Sequence, residues 1–88
     1  MTVSDIGHRF ARLLFEAMAH PVGVDRGALL NAASAFLDAA LSPESDGLTL
    51  ARRMAFRACE WCVWDRPEDY AALRRAVGAF EMHAAITN

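Results

Sequence analysis

Apolar residues recur along this chain at intervals of three and four, and nowhere do they alternate with polar ones over the length of a strand. That rhythm predicts helices with one buried side. The first covers about residues 4–20, with Ser4 and Asp5 as candidate caps and Pro21 as the residue that cannot continue it. Its apolar face carries Ile6, Phe10, Leu13, Leu14, Phe15, Ala17 and Met18. After the tight connection Pro21-Val22-Gly23-Val24, Asp25 caps a second helix over about 25–41. Leu29, Leu30, Ala33, Phe36, Leu37, Ala40 and Leu41 make its main face. Ala28, Ala32, Ala35 and Ala39 form a smooth opposite side, which is buried in the bundle, the seam of a dimer, or an exposed face where alanine simply favours the helix.

The longest break, Ser42 to Gly47, begins with Ser42-Pro43, which can start a single helical turn. Ser45 or Asp46 then caps a third helix over about 47–64, which holds both tryptophans and both cysteines. Leu48, Leu50, Ala51, Met54, Ala55, Ala58, Cys59, Trp61 and Cys62 share roughly half of its cylinder. An arc that wide predicts a helix gripped by more than one neighbour. Asp65 and Glu68 have capping-box spacing around Pro67 and predict a fourth helix over about 66–85. Tyr70, Leu73, Ala76, Val77, Phe80 and Ala84 form its buried face, Arg74 and Arg75 look outward, and the end from Ile86 frays. Four helices with short connections predict one all-α domain over 1–88, a small antiparallel four-helix bundle, with two steeply crossed helical hairpins or a dimer-completed bundle as the weaker alternatives.

Composition narrows the function classes more than it names one. Across 88 residues the chain is 55% apolar, ample to offset the entropy of ordering it, and its net charge of −2 sets up no field toward nucleic acid or anionic lipid. The start of the sequence shows no basic leader, and no apolar run is long enough to span a bilayer. Together with only two cysteines, this leads us to expect a cytoplasmic protein with free thiols.

Candidate chemistry comes from three features. The polar side of the third helix carries Phe56 and Val63, with Trp64 projecting beside Arg53 and Arg57. These apolar side chains exceed what one face buries, and Trp and Arg are the types that dominate protein contacts. Arg53, Phe56, Arg57, Glu60 and Trp64 are therefore the candidate partner-binding residues. The alternative is a nucleic-acid surface made of Arg52, Arg53, Arg57, Arg74 and Arg75, although Glu60, Asp65, Glu68 and Asp69 are interleaved with it. Third, Cys59 and Cys62 form a CxxC. A zinc site needs three or four ligands, and His8, His20 and His83 are scattered. A redox pair belongs at a helix start after a strand, whereas this one lies late in a helix. His8, Arg12 and Glu16 share a stripe that reads as an ordinary polar face, and no glycine-rich phosphate loop is present. The expectation is a small non-enzymatic interaction protein without a cofactor or bound metal, docking on another protein as an inhibitor, antitoxin-like partner or adaptor does, of the kind phages also encode, with a homodimer as a further form.

Overall fold

The computed structural model of the protein describes residues 3–38 and 45–87, and among them there are four α-helices and no strand. The helices are α1 (Val3–Ala19), α2 (Arg26–Asp38), α3 (Asp46–Trp64) and α4 (Pro67–Thr87), with a short 3-10 turn at Pro21–Gly23. The expected ends of the second helix (Ala39, Ala40 and Leu41) and the expected turn at Ser42-Pro43 lie outside the described residues.

Local chemistry sets most of the boundaries. The 3-10 turn follows Pro21 and closes with hydrogen bonds from Gly23 N to His20 O (3.3 Å) and from Val24 N to Pro21 O (3.5 Å). Asp25 caps α2, its Oδ1 accepting from Ala28 N at 3.0 Å. Ser45 caps α3, its Oγ accepting from Leu48 N at 3.1 Å. α1 is already helical at Val3, so Ser4 and Asp5 lie inside its first turn and do not precede it. α4 continues to Thr87, past the expected fraying point at Ile86.

The α3–α4 junction departs from the Asp65/Glu68 capping box. Asp65 ends α3 in the left-handed conformation (φ 52°, ψ 43°), with its N–H bonded to Trp61 O at 3.0 Å. A short polar side chain tolerates that conformation better than most. The cap of α4 is thereby displaced by one residue. Arg66 opens the first helical turn, its carbonyl accepting from Tyr70 N at 3.2 Å, and Asp69 reaches back to accept from Arg66 N at 3.2 Å.

The core is built around α3. Its buried residues are Leu48, Ala51, Met54, Ala55, Ala58 and Trp61, with Leu50, Cys59 and Cys62 half-buried at the edges of the same arc. α3 alone packs against all three other helices, while α1 rests on α3 and α4, and α2 rests on α3. α1 and α2 are joined by one tight turn, yet their backbones make no close approach, and Phe10 stacks on Phe36 across the gap (ring centroids 5.5 Å apart). The bundle is open along that edge. Leu13, expected in the core, is consequently exposed on the α2 side of α1, and Phe15, also expected there, is exposed on the α1–α4 side beside Tyr70 and Arg74. Ala28 and Ala35 are exposed and Ala32 is half-buried, so the alanine side of α2 is not a core face of this protomer.

Candidate functional site

α3 presents its two sides differently. The inner arc is closed off by α1, α2 and α4, and the outer stripe runs through positions 53, 56, 57, 60, 63 and 64, spaced as one helical face. On that stripe Phe56 is 52% exposed, Val63 58% and Trp64 62%. Arg53 is exposed as well, and Arg57 and Glu60 are half-buried. Arg57 donates to Glu60 Oε1 at 2.7 Å and holds its guanidinium 5.8 Å from the centre of the Phe56 ring. Trp64 has a different cationic neighbour from the expected Arg53 and Arg57. Arg66 lies 5.5 Å over its ring, brought there by the two-residue link into α4.

The arginines of the nucleic-acid set do not act as one free cluster. Arg57 is ion-paired with Glu60, and Arg52 has an interaction of its own. Arg74 opens onto the α1–α4 side with Phe15 and Tyr70, while Arg53 and Arg75 are exposed.

Cys59 and Cys62 are free thiols packed against the core. Burial pushes the Cys62 thiol above its ordinary range, partly offset by the Arg26 charge, with Cys59 adding a small push upward. Among the described residues no three His, Cys, Asp or Glu side chains sit together as a metal site, and no buried side-chain nitrogen or oxygen lacks a partner. None of the helices is long and apolar enough to cross a membrane.

Two polar assemblies were not anticipated. Arg26, at the start of α2, lies 4.4 Å over the Trp61 ring, donates to Trp61 O at 3.1 Å and pairs with Asp65 Oδ1 at 3.1 Å. It clamps α2 to the end of α3. No local pattern could reveal a contact between residues 35 apart in sequence. The other is Arg66–Asp69, with Nε and Nη2 donating to the two carboxylate oxygens at 2.8 and 3.0 Å. These side-chain bonds hold the Asp69 carboxyl below the ordinary aspartate range, against the opposing effect of burial, with help from the Arg66 backbone N–H and the Arg66 and Arg57 charges.

A folded-state value below the unfolded one means that this stabilisation is complete above the unfolded aspartate value of about 3.9 and fades as pH falls through the lower folded value. Urea unfolding at neutral pH and near pH 3 will therefore show a smaller acid-induced loss in Asp69→Asn than in the parent. Equal losses in both would show that Asp69 contributes nothing to the acid limb.

The sequence matches no protein-family model, and no curated protein or solved structure is measurably similar to it.

Proposed function

We propose that the protein is a non-enzymatic docking module that engages another protein through the outer stripe of α3. The observation that carries this reading is the exposure of Phe56, Val63 and Trp64 on one face of the helix whose opposite face packs into the core. Exposed apolar side chains aligned on a rigid element are costly to leave in water and mark contact surfaces. Arg53, Arg57 and Arg66 surround them, with Glu60 tied to Arg57. The complementary surface on a partner is an apolar cleft with an acidic rim, read by aromatic and arginine anchors. An inhibitor, antitoxin-like or adaptor role would operate this way, with no reaction catalysed by the protein itself.

The test places a photo-crosslinking residue at Arg53, at the N-terminal end of the stripe, and at Val22, on the 3-10 turn, as a control. A partner captured from the producing cells at Arg53 and not at Val22 is then purified and titrated. Phe56→Ala/Trp64→Ala is expected to weaken that association at least ~tenfold while shifting the melting temperature only slightly. Undiminished affinity in the double variant would remove the reading.

A further inference from the structure

The open edge between α1 and α2 holds two apolar hollows, of about 360 and 410 Å³, that meet at Leu13. Leu13 is 45% exposed there. On the α2 wall Ala28, Ala32 and Ala35 stand beside the buried Leu29 and Phe36, low enough for another helix to approach closely. The two ends differ in charge. Arg9 stands at one, and Glu16 and Asp25 stand at the other. On α1, Arg9 precedes Leu13 by four residues and Glu16 follows it by three. Neither the Arg9 guanidinium nor the Glu16 carboxylate has an ion-pair partner among the described residues.

We propose that this seam is a self-association surface, filled by α1 of a second copy of the chain in antiparallel register about a two-fold axis near Leu13. The argument is charge complementarity. A helix face that is basic before a central leucine and acidic after it complements itself when reversed. Arg9 of each copy then meets Glu16 of the other, and the two Leu13 side chains meet on the axis. A two-fold contact of this kind uses the same patch on both protomers and closes on itself. Each α1 occupies the seam of the other, so both open edges are covered at once. A foreign helix would need the same order of basic, aliphatic and acidic residues that α1 itself carries on this face. The surface lies on α1 and α2, and the proposal is independent of docking through α3.

Sedimentation equilibrium of the full chain tests it. The expected species is twice the 9.6 kDa chain. Arg9→Glu alone and Glu16→Arg alone each place like charges opposite one another, and each is expected to weaken the dimer at least ~tenfold. The double variant Arg9→Glu/Glu16→Arg restores opposite charges in the same register and is expected to return dimerisation close to the parental level. Both sites are exposed, so the helical circular dichroism of all three variants should match the parent. Phe56→Ala/Trp64→Ala should leave the dimer intact, which separates this result from the α3 reading. A parent chain that stays monomeric, a dimer indifferent to the single reversals, or a double variant without recovery would each overturn the proposal.

Discussion

Trp61→Ala will cost about 3–5 kcal/mol of folding free energy, whereas Trp64→Ala, three positions along the same helix, will cost under about 1 kcal/mol. The two indoles differ in surroundings. Trp61 is 2% exposed, carries Arg26 over its face and meets the edge of Tyr70 with ring centroids 6.1 Å apart. Truncating it leaves a cavity at the α3–α4 contact and removes the surface on which the Arg26 guanidinium lies. Trp64 forfeits little more than its contact with Arg66. A domain of this size is stable by only about 5–15 kcal/mol, so the first substitution removes a large share of the total. Each kcal/mol moves the midpoint by about 4–8 °C in a chain this short, so thermal melts will separate the variants by about 8 °C or more. Indistinguishable melts would mean that Trp61 is not the core anchor of α3.

Gly7→Ala and Gly78→Ala will change stability in opposite directions. In an unconstrained helix interior each would gain up to about 1 kcal/mol, because alanine loses less backbone entropy than glycine. At Gly78, a Cβ meets nothing within 4 Å, and the full gain is expected. At Gly7, the same atom would stand 2.5 Å from Phe80 Cζ and 2.9 Å from Cε2. Phe80 is buried, and its ring also meets the His8 edge, so it has little room to retreat. Overpacking of this kind costs about 1–3 kcal/mol, which outweighs the propensity gain and makes Gly7→Ala destabilising. Pairing Gly7→Ala with Phe80→Leu tests the cause, since a smaller side chain should recover part of the loss caused by the clash. Two stabilising alanines would show that α1 and α4 are not in close contact at Gly7.

The 3.6-residue rhythm made the four helices and the inner arc of α3 legible, because burying a face is a local demand on side-chain spacing. Leu48, Ala51, Met54, Ala55, Ala58 and Trp61 are all buried on the side the pattern indicates. The rhythm could not tell how much of an apolar face its neighbours would cover. Leu13 and Phe15 belong to the α1 stripe by spacing but stay exposed, Leu13 since α2 does not close against α1 and Phe15 at the open rim of the α1–α4 contact. The displaced cap of α4 had a readable sign. Pro67 prefers the first helical position, which makes the residue before it, Arg66, the cap, and puts Asp69 three residues on, in place of Glu68. The Arg26 clamp had none, because it joins the start of one helix to the end of another. For the candidate docking stripe, spacing indicated which residues share a face, but the cation over Trp64 depends on the left-handed turn at Asp65, which redirects the chain.

The helix that bears Phe56 and Trp64 is also the one held by all three of its neighbours. Its outward side chains therefore stand on a backbone that has little freedom left to lose on association. A ligand protein seating there would meet a surface already in its bound shape, and the entropic cost of complex formation would fall mainly on the other molecule. Differences in affinity among variants of Phe56, Val63 and Trp64 would then reside in how long the complex lasts, with encounter rates nearly unchanged.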